Sequence, residues 1–488
     1  MRTSTAALAS GLAATAAAAE TIHGVLVFTR HGDRTTKHYG NTQQLTSLGA
    51  EQCFQSGSFY RSRYLSPESP THISGIDGEQ YTRSQIYATA PDADILLNTA
   101  TAFLQGLYPP LNSERVTTLN NGTKISSPLS NYQYVTLHGV SASSPDAIWQ
   151  KGDDSCPAAA AAQSNYKKSE GYLSLLSSTK AFYESFYPYL SAVYDYPAAS
   201  SLSYAGAYDI FDLINVARIH NSTGPAKDIS AEDLFQLRTL ADQAEFNTNY
   251  NASEPARQVG ARSLAGAVLT HLGDTVSKGQ RKFTLLTGSY DTFLAWFGWA
   301  GLTEASPDFF GLPDYAGSMV FEVFSDDEAD GQAEKRVRFL FRNGTEDAVE
   351  LKSYPLFGLN KPDLTWTEFQ KVAKEKGSIS GPEEWCSICE SRDGFCKMYD
   401  SQGSSSEGVK IKNGGGGGMD GEMIAGIVLI VVGGLSLLAA VAMWAFVNSM
   451  RKKTKGENGA TSVVMNAGHH AKGWDSASST KSHEKVTV

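Results

Sequence analysis

The residues that could do chemistry stand together in the pentapeptide RHGDR at positions 30–34. Arg30 and Arg34 carry planar, permanently charged guanidinium groups, which can hold a phosphate through paired hydrogen bonds. Between them, an uncharged imidazole nitrogen of His31 could attack phosphorus and form a covalent intermediate. Gly32 lets the backbone approach an anion closely because it has no side chain. The pattern predicts an anion site with a nucleophile; the alternative is a surface turn with a solvated charge cluster.

A strand must position this pentapeptide. His23–Thr29 reads HGVLVFT, an apolar and β-branched run that predicts a buried strand ending at the first arginine. Ligands of open α/β sheets bind beyond the carboxyl ends of strands, which is where the pentapeptide would then lie. Further strands are predicted at Gln85–Thr89 and Lys282–Thr287, and a β-hairpin at Met319–Phe324 and Val337–Phe341. These elements indicate one sheet built from both ends of the domain.

Helical patterns alternate with these strands. Helices are predicted from about Thr46 to Tyr60, from Pro91-Asp92 to about Gly106, and through Leu294–Phe297. Between residues 121 and 278 helical patterns such as Lys168–Tyr189 and Ala231–Phe246 replace strands. The predicted fold class is therefore α/β, with a core formed by residues 20–120 and 279–400 and a mainly helical cap inserted at 121–278.

The two ends of the chain differ from this domain. Residues 1–19 carry one cation before an alanine-rich run that closes on an A-x-A pattern, which predicts a signal peptide; an Ala-rich helix is the alternative. Residues 423–447 are uncharged and long enough to span a bilayer, so a transmembrane helix is predicted rather than a buried core helix. A Ser/Gly-rich linker at 401–422 precedes it, and a basic tail at 448–488 follows. The positive-inside rule then predicts a single-pass type I membrane protein with a cytosolic tail and an ectodomain outside the cell or in the secretory or vacuolar lumen.

Composition, sequons and cysteines bear on the same location. The net charge of the 488 residues is −10; residues 451–488 contribute +4 and Arg2 contributes +1, so the stretch between carries −15, which argues against nucleic acid as a partner. N-glycosylation sequons begin at four asparagines: Asn121, Asn221, Asn251 and Asn343. The five cysteines are Cys53, Cys156, Cys386, Cys389 and Cys396. Disulfides with one free thiol are expected in an oxidising compartment, with zinc as the weaker alternative.

Several segments, in order, resemble one family. RHGDR resembles the R-H-G-x-R signature of the histidine acid phosphatases, a branch of the histidine phosphatase superfamily that includes phytases. Gln85–Pro110 is similar to the family's strand, turn and helix ending in F-L-x-G-L-[FY]-P-P. Residues 153–157 (DDSCP) resemble the start of its cap, Leu285–Leu302 its segment G-H-D-x-T-L, and Met319–Asn343 its hairpin. The resemblance spans residues 22 to about 400.

The resemblance implies roles for individual residues. His31 would be the nucleophile that forms a phosphohistidine, and Asp291 would protonate the leaving alcohol. Arg30 and Arg34, joined by Tyr290, would bind the phosphoryl oxygens. No metal and no organic cofactor is implied. A family bridge from the start of the cap to the C-terminal segment implies that Cys156 pairs with a late cysteine, one of three: Cys386, Cys389 or Cys396.

Two segments depart from the family pattern. Counted back without gaps from Phe103, the second phosphate-binding arginine of R-S-T-D-x-x-R-T falls on Ile95, and the earlier arginine falls on Thr89. In the H-D pair, Tyr290 replaces histidine. Losing one charge-assisted hydrogen bond costs about 1.5–3 kcal/mol. Compensation by another histidine, such as His138 or His271, stays an open alternative.

Two functions follow from this mixture of kept and changed residues. The first is a membrane-tethered acid phosphatase that takes small phosphomonoesters or other anions, with phytate disfavoured because the acidic ectodomain would repel a polyanion. The second is a catalytically inactive relative whose ectodomain binds, senses or serves as a scaffold. The retained nucleophile and acid favour the enzyme; the changes at Ile95, Thr89 and Tyr290 favour the inactive relative.

Overall fold

The structure is a computed structural model that describes residues 20–38, 43–112, 116–326, 333–392 and 394–400. Its main sheet has eight strands in the order β10-β8-β7-β1-β6-β2-β5, with β9 paired to β8. The strands are β1 (Glu20–Arg30), β2 (Ile86–Pro91), β5 (His138–Val140), β6 (Phe283–Gly288), β7 (Ser318–Asp326), β8 (Arg336–Arg342), β9 (Lys352–Tyr354) and β10 (Leu364–Thr365). A separate hairpin joins β3 (Val116–Thr118) and β4 (Lys124–Ser126).

Strand direction divides the sheet into two halves. β1, β6, β2 and β5 run parallel, whereas β7 to β10 pair antiparallel with their neighbours. The central parallel strands β1 and β6 are buried on both faces, which explains why they are continuous apolar runs. The carboxyl ends of β1 and β6 lie side by side, because Arg30 is the register partner of Gly288.

The helices pack on the two faces of the sheet or form the cap. They are α1 (Ser47–Tyr60), α2 (Asp94–Leu107), α3 (Pro128–Asn131), α4 (Pro157–Tyr166), α5 (Glu170–Ser178), α6 (Lys180–Glu184), α7 (Tyr187–Ser191), α8 (Ala207–His220), α9 (Ala231–Asn249), α10 (Val259–Lys278), α11 (Tyr290–Trp299), α12 (Trp366–Glu375), α13 (Pro382–Ile388) and α14 (Lys397–Asp400). α4 to α9 form the cap, and α8 packs against α9.

The core is built by the alternation of side chains along β1. Val25 and Val27 face one side and pack in the cluster that holds α1 and α2. Leu26 and Phe28 face the other side and pack with α10 and α11. Successive strand residues point to opposite faces, so one apolar strand contributes to both layers. This arrangement holds β1 rigidly at its carboxyl end.

The predicted core strands and helices are present, and two elements within the range predicted as the cap, 121–278, contact the main sheet. β5 pairs with β2 in the main sheet although it lies inside 121–278. α10 packs against β1 and α11 and belongs to the core layer. β5 was not predicted because it is a three-residue edge strand with largely exposed side chains. The sequence of an apolar helix such as α10 does not indicate whether the helix packs in the core layer or in the cap.

The cysteines confirm the prediction of disulfides with one free thiol. Cys156 bonds Cys389, and Cys386 bonds Cys396. Cys53 is a buried free thiol, and burial raises its pKa to about 11. The predicted signal peptide, linker, transmembrane helix and tail lie outside the described residues. Within the described residues, no helix has the length and apolar character needed to cross a membrane.

Candidate active site

His31 lies immediately after β1 and is buried, with 4% of its surface exposed. Its Nδ1 is 2.9 Å from the carbonyl oxygen of Gly32. A carbonyl can only accept, so Nδ1 carries the proton in the neutral ring and Nε2 keeps a lone pair. Burial, followed by the charges of Arg30 and Arg34, holds the pKa of His31 well below its usual value. The neutral form of the imidazole, with a lone pair on Nε2, is therefore favoured.

The loop after His31 is pressed against the first turn of α1. A Cβ added to Gly32 would lie 2.3 Å from the Gly49 carbonyl oxygen, and one added to Gly49 would lie 2.0 Å from that of Asp33. Thr46 caps α1 by accepting from the Gly49 amide at 3.0 Å, and its own amide donates to the Asp33 carbonyl at 3.1 Å. The Asp33 carboxylate meets Nε2 of His220 at 2.6 Å. These contacts fix the backbone that carries the two arginines.

Arg30 is held by the loop before β7. Its Nη1 donates to the carbonyl of Pro313, and its guanidinium carbon lies 4.7 Å from the ring centre of Tyr315 and 5.4 Å from that of Tyr290. Its Nε is buried and has no hydrogen-bond partner among the described residues. This N–H is a donor of the kind that an anion at His31 would satisfy.

Arg34 is engaged by the cap. Its Nη1 lies 3.0 Å from Oδ2 of Asp212, and its Nη2 donates to the Tyr208 hydroxyl at 2.9 Å. Both partners lie on α8. Asp212 also accepts from the backbone amide of Lys37 at 2.8 Å. Burial would lower the pKa of Arg34, but Tyr208 and Asp212 outweigh it and raise that pKa, so this arginine carries its own buried counter-ion.

Tyr290 opens α11 and contacts both a cation and a carboxyl. Its hydroxyl accepts from Nζ of Lys37 at 3.4 Å, and the Glu245 side chain from α9 lies near enough for the two groups to affect each other's pKa. Burial raises the pKa of Glu245 to about 7, although Lys37 and Tyr290 act in the opposite direction. Asp212 and Glu245 were not among the residues predicted from the sequence, since no local signal marks a cap residue that reaches the core site.

Asp291 is the second residue of α11, and its Oδ1 accepts from the Thr292 amide at 2.8 Å. Burial raises its pKa, while nearby Lys151 opposes the rise. Asp153 shares this neighbourhood, and burial together with Asp291 raises its pKa to about 8. The register of β1 with β6 brings this helix start to the same sheet edge as His31. An imidazole, two guanidinium groups and a carboxyl group therefore lie at one edge of the sheet.

Comparison with known proteins agrees with this geometry. The sequence model of the family described as Histidine phosphatase superfamily (branch 2) matches residues 37–342. The chain belongs to this family. It is 25% identical over 332 residues to a lysosomal acid phosphatase of Xenopus laevis, covering 64% of this chain and 68% of that protein. It is 24% identical over 384 residues to the prostatic acid phosphatase of Homo sapiens, covering 75% and 86%.

Solved structures agree on the fold. A Hafnia alvei phytase in complex with myo-inositol hexakis sulphate superposes with a TM-score of 0.50 at 14% identity, covering 74% of this chain and 98% of that one. The expectation of a histidine-phosphatase-like α/β fold is therefore confirmed.

The positions at which this histidine phosphatase departs from the family pattern offer little to an anion. Ile95 lies in the first turn of α2, is 7% exposed and packs in the core cluster beneath the sheet. The hydroxyl of Thr89 donates to the His138 carbonyl at 3.0 Å. Neither Ile95 nor Thr89 supplies a cationic group in place of the family's arginines. The ring of His138, one of the two histidines considered as replacements, stacks on Tyr87.

His271, the other histidine considered for compensation, has its own partners. Its Nδ1 accepts from Nη1 of Arg281 at 2.6 Å, and its ring lies 4.9 Å from that of Tyr87. Burial, with the charge of Arg281, lowers its pKa to about 4. Both candidate histidines thus gather around Tyr87 on β2.

Proposed function

We propose that this protein is a histidine acid phosphatase that hydrolyses phosphomonoesters through a phosphohistidine on His31. The observation that carries the proposal is the environment of His31: Nδ1 is 2.9 Å from a backbone carbonyl, which leaves the lone pair on Nε2, and burial together with the charges of Arg30 and Arg34 lowers the pKa of the ring. The acid phosphatases among its relatives support a phosphoric monoester hydrolase.

In the first step, Nε2 of His31 attacks phosphorus in line with the ester oxygen. The N–P bond forms as the P–O ester bond breaks, and Asp291 gives its proton to the departing alkoxide, which leaves as a neutral alcohol. Arg30 offers its unpartnered Nε to the phosphoryl oxygens. Arg34 adds positive charge and its own buried, unpartnered Nε. Fixed cations of this kind stabilise the charge on the transferring group.

In the second step, water attacks the phosphohistidine. The Asp291 carboxylate takes the proton of that water, the N–P bond breaks, and the electron pair returns to Nε2. Inorganic phosphate leaves, and both residues regain their starting protonation. No step requires a metal ion or an organic cofactor.

The mechanism requires His31 to be unprotonated and Asp291 to be protonated at the same pH. The surroundings of the two side chains favour these states. Burial and the two arginines keep the pKa of His31 low, so the nucleophile stays uncharged in acid. Burial raises the pKa of Asp291, so the acid keeps its proton in the same range. An acidic optimum follows, with a decline as pH rises through the pKa of Asp291.

We propose that the enzyme acts outside the cytosol, tethered by residues 423–447. The support comes from the leader-like residues 1–19, the uncharged span with cations after it, and the four sequons. The two disulfides agree with an oxidising compartment.

A second candidate function is a binding ectodomain without turnover. It is favoured by a specific observation: Arg34 is already paired with the buried carboxylate of Asp212, and the carboxyl of Glu245 lies near Tyr290. An anion must compete with these carboxylates. Such a protein would bind a phosphorylated ligand and release it unchanged.

Turnover by the purified full-length protein between pH 3 and 7 tests the proposal against this alternative. We expect hydrolysis of aryl and alkyl phosphates by the wild type and none by His31→Ala. The matched control is His138→Ala, which removes an exposed histidine that lies on β5 and should leave turnover unchanged. Phosphate binding by calorimetry without hydrolysis at any pH would favour the binding ectodomain.

A further inference from the structure

The loop that enters the cap is pinned to the acid end of the site. Nε2 of Gln150 donates to the carbonyls of Thr89 on β2 at 2.9 Å and Thr287 on β6 at 3.0 Å. The backbone carbonyl of Gln150 accepts from the hydroxyl of Thr292, the neighbour of Asp291, at 3.1 Å. The next loop residues, Lys151 to Asp153, are thereby fixed beside the first turn of α11.

A second anchor holds the far side of the same loop. Nε1 of Trp385 donates to the Gly152 carbonyl at 2.7 Å, and Cys156 is bonded to Cys389 just beyond α13. Residues 153–155 lie between these two anchors, and Asp153 directly follows the first of them, so its backbone has little freedom to move away from the site.

The Asp153 carboxyl faces α10 and α11. Its Oδ1 is buried and has no hydrogen-bond partner among the described residues. A Cβ built on Gly260 would lie 3.5 Å from this oxygen and 3.8 Å from the Cβ of Ala295. Ala295 is one turn beyond Asp291, so the two stand on one face of α11. Asp153 and Asp291 line one narrow pocket, with Asn249 beside them.

We propose that Asp153 shares a proton with Asp291, so that the acid of this enzyme is a pair of carboxyls rather than one. This inference rests on the proposed function and names a positioning residue for its proton-transfer step. Two carboxylates confined to one dry pocket cannot both ionise easily, and the pair keeps one proton over the range between its two ionisations. The alkoxide takes its proton from Asp291, and Asp153 sets the pH up to which Asp291 keeps that proton.

The charges around the pair fix the direction of the effect. Lys151 and Lys37 favour ionisation of Asp291, whereas Asp154 opposes it. Glu245 also faces Asp291, and Arg257 lines the pocket with Asp153. Burial, then Asp291, then Asp154 raise the pKa of Asp153 to about 8. Ionisation of the pair should therefore be spread over two steps, the later one near neutral pH.

The test compares kcat against pH for the wild type and Asp153→Asn, using an alkyl phosphate and an activated aryl phosphate. With the alkyl substrate, we expect the basic limb of Asp153→Asn to move down by at least one pH unit, because an amide cannot store the proton. In acid, below both ionisations, the two profiles should differ less than on the basic limb, because Asp291 is protonated in both proteins. The aryl substrate, which leaves without protonation, should show no shift.

Asp154→Asn is the matched control. It removes the same charge one residue away, but Asp154 is exposed and bonded to Lys151 at 3.0 Å. Its basic limb should move much less. Profiles of Asp153→Asn and wild type that superimpose would overturn the proposal, as would a change confined to KM.

Potentiometric titration keeps the proposal testable without turnover, or when kinetics are ambiguous. The folded wild type should release one proton more than folded Asp153→Asn across the range from about pH 6 to about pH 9, centred near the pKa of about 8. Equal proton release would refute the shared proton even in an active enzyme. A difference in proton release in a protein without turnover would leave the pair standing and refute the proposed function instead. Asp153→Glu, which keeps the carboxyl, should restore the wild-type count.

Discussion

The Arg34–Asp212 pair should stabilise the fold and weaken phosphate binding, so removing the charge of Asp212 should have opposite effects on the two properties. Nη1 of Arg34 and Oδ2 of Asp212 are 3.0 Å apart, with side chains 1% and 3% exposed. Asp212→Asn keeps an oxygen that can accept from Arg34 and from the Lys37 amide, but it removes the charge. A hydrogen bond to a charged group is worth about 1.5–3 kcal/mol, so the free energy of unfolding should fall by about that amount.

Phosphate should bind the same variant more tightly. In the wild type the anion shares Arg34 with a carboxylate on the other side of the guanidinium. Two unit charges about 7 Å apart interact by about 2 kcal/mol at an effective dielectric of about 20, and removing this repulsion should lower the Kd of phosphate by about tenfold or more. Lower KM with slower product release is the expected kinetic signature.

Urea unfolding with and without phosphate, together with calorimetry, measures both effects. Asp209→Asn is the matched control, because Asp209 lies on the same helix and its carboxylate is 3.9 Å from Nδ1 of exposed His38. It should change neither stability nor phosphate affinity appreciably. The reasoning fails if Asp212→Asn is as stable as the wild type, or if it binds phosphate more weakly.

Three further predictions concern the acid, the changed family position and the disulfide. Asp291→Asn should slow alkyl phosphates by about 10²–10⁴-fold and activated aryl phosphates far less; equal losses on both substrates would exclude Asp291 as the acid. Tyr290→His should tighten phosphate binding in acid, where the new imidazolium adds a cation, whereas Tyr290→Phe should not; calorimetry at pH 5 compares them, and equal affinities would contradict the prediction. Replacing Cys156 and Cys389 together by serine should lower stability by about 2–5 kcal/mol, measured by urea unfolding without reductant, and an unchanged midpoint would show that the bridge adds no stability.

Much of the core could be predicted because its signals are local. β1 is a continuous apolar run with buried residues on both faces, and Thr46 caps α1 at the predicted start. The pentapeptide itself marks the nucleophile and its arginines. β5 could not be found in this way, because a three-residue edge strand takes its identity from the neighbour it pairs with.

The environment of the site could not be predicted, because it comes from distant parts of the chain. Asp212 and Tyr208 reach Arg34 across 178 and 174 residues. Glu245 reaches Tyr290 from α9. Nothing in the pattern of an amphipathic cap helix distinguishes a carboxylate that faces water from one that faces an arginine. The choice of Cys389 among three late cysteines likewise depends on how α13 packs.

Trapping the phosphoenzyme tests the central claim most directly. The full-length protein would be mixed with a phosphomonoester at acidic pH and quenched in alkali within milliseconds, conditions under which phosphohistidine survives, and the labelled peptide would be mapped by mass spectrometry. The account predicts one phosphate on His31 that appears before product, decays at the turnover rate and is missing from His31→Ala. Hydrolysis with no phosphoenzyme at any time, or a phosphate on another residue, would contradict it.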